Sequence, residues 1–330
     1  MKLFLMTALC GTLFAADPGY KVLQKIKVGG NGGWDYVYVD SGAQRLYASH
    51  TNQTEVLDLA TGMVVGKIAE TTGVHGIAVA TDLGKGYTSN GRANNVSVFD
   101  LKTLETLAKV DTGKNPDAIV YEPVTHRVFT FNGSSKDSTV IDAKTGAVVA
   151  TVPVGGKPEF AQLDGKGKIY FNVEDTNELL EMDAAIAKVT KRIALTGCDE
   201  PSGLAIDVQK RHLFSVCGNN VMVITDPDAG KVIGTAPIGK GADGVAFDNG
   251  YAFSSNGRDG TITVVEAGGK FEVAATVPTQ ASARTIGADP KTHKLYLPAA
   301  EQGSATVGKD GKQGRPGVVP DSFMIVVVGK

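Results

Sequence analysis

Residues 73–110 read GVHGIAVATDLGKGYTSNGRANNVSVFDLKTLETLAKV. Four short apolar runs stand out between polar turns: Ile77-Ala78-Val79, then Gly86-Tyr87-Thr88-Ser89 ending at Asn90, then Val96-Ser97-Val98-Phe99 closed by Asp100, and finally Leu107-Ala108-Lys109-Val110. Runs this short, rich in β-branched and aromatic residues and bounded by turn formers, predict strands and not helices.

The unit recurs along the chain. An aromatic in the second run falls at Tyr47, Tyr87, Phe129, Tyr170, Phe214, Phe253 and Tyr296, at intervals of 40, 42, 41, 44, 39 and 43 residues. A second marker after the first run, at Asp40, Ala80, Glu122, Asp164, Asp207, Asp248 and Asp289, keeps the same phase. Four strands per unit at this period predict an all-β, seven-bladed β-propeller with four antiparallel strands per blade. A lone four-stranded sheet has two apolar faces and cannot bury both, so the units must stack around an axis.

The ends of the chain supply the closure. The last unit offers strands near 285–288, 294–298 and 323–328 but no fourth run before Lys330. The missing strand lies at the other end, where YKVLQKIKVG at 20–29 resembles VVATVPVG at 148–155. The N-terminal segment is therefore expected to be the outer strand of the last blade, leaving no open edge between the termini.

Residues 1–16 differ in kind. Lys2 is followed by an apolar run from Leu3 to Phe14, too short to span a bilayer, and by Ala15-Ala16 before Asp17. This pattern reads as a secretory signal peptide, with 17–330 as a single propeller domain in a periplasmic or secreted protein. The formal net charge of the 330-residue chain is −2, and no basic block offers a footprint for nucleic acid. No later run is long enough for a transmembrane segment, and a monomer is expected. The 41 glycines suit a fold that turns about every ten residues.

The turns have local causes. Asp58 to Gly62, Asp142 to Gly146 and Asp226 to Gly230 place an Asp that can accept backbone N–H groups before a Gly able to take a left-handed conformation. Ala184-Ala185-Ile186-Ala187 departs from that pattern, and residues 299–322 form a long connection rich in Gly and Lys. Cys198 and Cys217 flank the first two strands of the fifth unit, on one face. In an oxidising compartment the pair predicts a disulfide, with a soft-metal pair as the alternative.

The units resemble the YVTN (YncE-like) repeat family of bacterial seven-bladed propellers. Tyr87-Thr88-Ser89-Asn90, Val96-Ser97-Val98-Phe99-Asp100 and Val28-Gly29-Gly30 carry the resemblance, which extends over essentially all of 17–330. It implies the fold; it does not imply a reaction, because these are strand and turn residues. Related propellers include lactonases and cofactor-bearing dehydrogenase subunits, whose activities do not transfer by fold.

Loops entering the first strands and loops joining second to third strands share one face, around the mouth of the axial channel. There the ionisable residues change from unit to unit while the strands repeat. The candidate ligand-binding set at this mouth is His50, His75, Asp117, Glu159, Asp243, Arg258 and Arg284. Each also has a plain reading, as a solvated loop charge or a satisfied core histidine. Asn90, Asn132, Asn172 and Asn256 recur at one repeat position and read as turn chemistry, and Trp34 reads as packing between blades. Motifs for a serine nucleophile elbow, an H-E-x-x-H zinc site, a P-loop and a C-x-x-C-H haem site do not occur in the sequence.

Two functions fit. The first, and the preferred one, is a non-enzymatic binding scaffold that takes a small polar molecule or a protein segment at the channel mouth; a divalent cation is the one cofactor the loop residues suggest. The second is a lactonase-type hydrolase with a divalent cation held there by carboxylates and Asn or His, Asp117, Glu159 and Asp243 being the candidate oxygen ligands. No catalytic residue can be singled out from the sequence.

Overall fold

The structure, a computed structural model, describes residues 18–307 and 313–330. The expected signal peptide lies outside the described residues. Seven four-stranded antiparallel sheets follow one another, each numbered here as a blade in chain order from Trp34. The innermost strands are Trp34–Asp40, Val74–Ala80, Pro116–Glu122, Pro158–Leu163, Pro201–Asp207, Ala242–Asp248 and, in blade 7, Gly287–Asp289. Helix is confined, among the described residues, to the single 3₁₀ turns Thr81–Leu83 and Glu174–Thr176.

The last sheet orders its strands as Lys21–Lys27, Met324–Gly329, Lys294–Ala299 and Gly287–Asp289, from outside in. The N-terminal strand thus pairs antiparallel with the C-terminal one, from Lys21 opposite Gly329 to Lys27 opposite Met324. Tyr20 anchors the join, packing edge-on against Phe253 of blade 6 at 4.9 Å with Lys330 over its ring at 5.0 Å.

The core is not one cluster but a series of seams. Each of seven buried apolar clusters draws its side chains from two adjacent blades, as Tyr47, Val56 and Ile68 of blade 1 do with Ile77, Val79 and Phe99 of blade 2. The repeating aromatics sit in these seams and are at most 3% exposed. Tyr87 also satisfies its hydroxyl across the seam, donating to the Ala143 carbonyl at 3.0 Å. Sheets too small to bury their own faces are thereby buried by their neighbours.

Two expectations from the turns change. The 184–187 turn keeps the Asp logic, because Asp183 stands where Asp58 and Asp142 stand and accepts from the Ala185 and Ile186 amides at 3.0 and 3.2 Å. Ala187 takes the left-handed position with φ 49°. The long connection is not a plain loop: Gln302–Val307 and Gln313–Val318 pair as a two-stranded hairpin. Its base contacts the closing strand, since Asp321 bonds Lys27 at 2.8 Å and the Gly30 amide at 3.0 Å.

The cysteines are joined as expected, with Cys198 and Cys217 disulfide-bonded at a Cα separation of 5.4 Å. Among the described residues no helix is long and apolar enough to cross a membrane.

Candidate functional site: a ring at the channel mouth

Six of the seven innermost strands share an irregularity. Pairing with the second strand slips between Trp34 and Val37, Val74 and Ile77, Pro116 and Ile119, Pro158 and Ala161, Pro201 and Leu204, and Ala242 and Gly244. Such a bulge re-aims the side chains within it. The residues in or next to the bulges are Asp35, His75, Asp117, Glu159, Ser202 and Asp243, and Arg284 follows in blade 7 at the same period. Each blade thus delivers one side chain to a ring around the channel mouth.

The bulge would orphan backbone groups without help. A second-strand serine supplies it: Ser49 accepts from the Asp35 amide and Ser89 from the Gly76 amide, both at 2.8 Å. Ser255 donates to the Gly244 carbonyl at 3.0 Å and to the Arg284 carbonyl of the next blade at 2.6 Å. In these three blades the second-strand serine thus holds the backbone of the ring.

From Asp243 through Arg284, Asp35 and His75 to Asp117 the ring residues contact one another. Arg284 reaches from blade 7 to Asp35 at 3.1 Å, to Asp243 of blade 6 and to the Trp34 carbonyl at 2.6 Å. His75 Nδ1 lies 2.5 Å from Asp35 Oδ2 and 3.8 Å from Asp117 Oδ1. Glu159 is held at 2.7 Å by Lys157, which also bonds Glu174. Asp117 Oδ1 is buried and has no hydrogen-bond partner.

Burial would raise the Asp35 carboxyl, but the Arg284 guanidinium and the His75 ring outweigh it and hold Asp35 below its usual range. Burial opposes charge on His75, and the Asp35 bond and Asp117 charge overcome that and raise it. Asp117 has no permanent cation in contact; burial first and the Asp35 charge second push it up to about 6. Burial likewise raises Asp243 against the pull of Arg284, and raises Glu159 together with the Asp117 charge against the pull of Lys157.

Below the ring, Tyr36 of blade 1 meets Phe160 of blade 4 edge-on at 4.9 Å. These blades are not neighbours, so the contact crosses the channel and separates the polar mouth from the apolar tunnel beneath. That tunnel, of about 240 Å³, is lined by residues such as Ile77, Val79, Ile119 and Tyr121. Two cavities open at the mouth. One, of about 400 Å³, is bounded by Asp35, His75, Arg92, Asn115 and Arg284; the other, of about 510 Å³, by Glu174, Glu200, Lys240, Asp243 and Arg258. Arg92 and Arg258 occupy equivalent positions in Asn-Gly-Arg at 90–92 and 256–258, and both are exposed without a side-chain partner among the described residues. The glycine is required, because a Cβ at Gly91 would lie 2.6 Å from His75 Nε2 and one at Gly257 would lie 2.7 Å from Arg284 Cβ.

Of the seven residues chosen from sequence, His75, Asp117, Glu159, Asp243 and Arg284 belong to the ring, and Arg258 lines the adjoining cavity. His50 is not brought to them. It ends the second strand of blade 1, is 3% exposed, stacks on Phe323 at 4.3 Å and bonds Glu55 at 3.3 Å. The oxygen set Asp117, Glu159 and Asp243 does not assemble as a cation cage either, because Lys157 and Arg284 occupy two of its members. Sequence reasoning passed over Asp35, the residue that joins the two halves of the ring.

No family model matches the chain, and no curated protein does. Among solved structures, a chain described as Kuenenia stuttgartiensis hydrazine synthase superposes with a TM-score of 0.70 at 16% identity, covering 88% of this chain and 96% of that one. At that identity the similarity shows the seven-bladed β-propeller fold alone, and the YVTN resemblance remains an expectation.

Proposed function

We propose that the protein is a binding scaffold whose channel mouth takes a small polar ligand bearing an anionic group. The observation that carries this reading is the pair of exposed arginines, Arg92 and Arg258, without a side-chain partner among the described residues and each over a cavity walled in part by the ring. The ring beneath is polar and largely internally paired, so it offers orientation and selectivity, while the guanidiniums offer bidentate recognition of a carboxylate or phosphate. The floor of Tyr36 and Phe160 limits the ligand to the mouth. Action outside the cytoplasm fits the disulfide and the apolar stretch after Lys2.

The test is calorimetry and thermal shift with inorganic phosphate, citrate and a sugar phosphate. A ligand present at a hundredfold excess over its Kd stabilises the fold by about 2.7 kcal/mol. That gain is expected to vanish in Arg92→Ala/Arg258→Ala and to persist in Lys102→Ala/Lys144→Ala, exposed lysines of the opposite face. No binding of any of the three, or equal loss in both double variants, would remove the reading.

A further inference from the structure

We propose that Asp35, His75 and Asp117 form a binding site for a single divalent transition-metal ion of the zinc or manganese class. One atom from each residue lies within 4.8 Å of the other two, and the three residues come from successive blades on rigid strands. An imidazole nitrogen with two carboxylate oxygens is a ligand set of borderline hardness, suited to zinc or manganese and less so to calcium.

Three features favour a metal over a mere hydrogen-bonded cluster. Asp117 Oδ1 is buried without a hydrogen-bond partner among the described residues and faces His75 Nδ1 at 3.8 Å, too far for a hydrogen bond. A buried acceptor left unpaired is costly, and a cation between the two atoms satisfies it. Second, the charges do not balance as they stand. Asp35, Asp117 and Asp243 face one permanent cation, Arg284, and the titratable His75. A divalent ion beside a neutral His75 offsets the remaining two carboxylates. Third, the support around the site is in place: Asp35 Oδ1 is engaged by Arg284, which leaves Oδ2 for the metal, and the Asp35 amide is fixed by Ser49. Outer partners of this kind orient ligating groups.

On binding, the metal replaces the proton between His75 Nδ1 and Asp35 Oδ2, now 2.5 Å apart. Bonds of about 2.0–2.2 Å require these atoms to separate by roughly 1 Å. The remaining coordination position opens to the cavity lined by Arg92 and Asn115. The proposal goes beyond the anion-binding reading and does not depend on it.

The experiment uses the full-length protein, stripped with chelator and titrated with Zn²⁺ and Mn²⁺ by calorimetry, with bound metal counted by elemental analysis after dialysis. One equivalent is expected. Asp117→Asn and His75→Gln should each weaken binding by more than the roughly 10–100-fold that loss of a supporting hydrogen-bond partner costs. Lys144→Ala should bind as the wild type does. Co²⁺ should give a d–d absorption band that Asp117→Asn loses. Far-UV circular dichroism and melting curves confirm that each variant is folded, and should either ring variant misfold the other decides. Substoichiometric metal in the wild type, equal affinity in wild type and Asp117→Asn, or binding of methylammonium with no metal uptake would each overturn the site. Loss of phosphate or citrate binding in the Arg92/Arg258 variant bears only on the rim, so the two readings fail separately.

Discussion

Asn90, at the end of the second strand of blade 2, has no exposed surface. Its amide donates to Ser97 and Asn95, both at 2.9 Å, and its carbonyl accepts from Thr88 at 3.0 Å. Asn132 and Asn256 repeat the arrangement with Thr139 and Thr263. The recurring asparagine is structural, as its periodicity suggests, but it acts as a buried clip between the second and third strands and not in the turn. Asn172 departs, donating instead to the Ser202 and Gly203 carbonyls of the next blade at 3.0 and 3.2 Å. His50 occupies the same repeat position in blade 1, which is why it points into the seam with Phe323. Replacing Asn90 by Ala strands the Ser97 and Thr88 hydroxyls, so Asn90→Ala should destabilise the fold by about 1–3 kcal/mol in chemical denaturation. A change of a few tenths would show that the clip contributes nothing beyond its volume.

Among the elements, the bulged innermost strands shape the channel mouth and the fifth blade carries the disulfide. Without the bulge, strict alternation would turn alternate residues away from the channel. With it, one charged or polar side chain per blade faces the mouth. In blade 5 the disulfide links the entry loop at Cys198 to the end of the second strand at Cys217, across a separation of 19 residues. Closing a loop of that length restricts the unfolded chain and is worth about 3 kcal/mol on the chain-entropy model. Cys198→Ser/Cys217→Ser should therefore lower the denaturation midpoint measurably, and reduction of the wild type should produce the same shift. An unchanged midpoint in both would count against any stabilising role.

For the molecule as a whole, the closing strand is the weak joint of the ring. Six blades are continuous in sequence, whereas blade 7 depends on Lys21–Lys27 returning to Met324–Gly329. Deleting residues 18–28 removes buried Tyr20 and partly buried Val22 and Ile26, and leaves the Met324–Gly329 edge unpaired. Burial of a large side chain contributes about 1.5–3 kcal/mol, so the loss should reach roughly 3 kcal/mol or more. The naked apolar edge should also self-associate. The truncated protein is expected to melt earlier and to elute as oligomers in size-exclusion chromatography with light scattering. A monomer with an unaltered melting temperature would mean that the ring closes without its clasp.

Much of this architecture is written in local order. Aromatics at a period near 40, Asp-led turns and alternating short runs fix the strands, the seven blades and the seams, because each depends on residues a few positions apart. The clasp and the disulfide were legible too, since each rests on a recurring segment or a pair of cysteines. Five of the seven chosen residues belong to the ring for the same reason: the phase of the repeat sets where around the axis a residue falls. Phase does not set the direction of a side chain. The bulge aims Asp35 into the ring, although in sequence it stands only as one more residue of a mouth-facing entry loop, and the buried-clip position takes His50 out. Which of these charges meet was decided by the tertiary packing of the entry loops: Asp117 Oδ1 is left without a hydrogen bond beside His75, Lys157 holds Glu159 within its own blade, and Arg284 reaches Asp35 only where blade 7 meets blade 1.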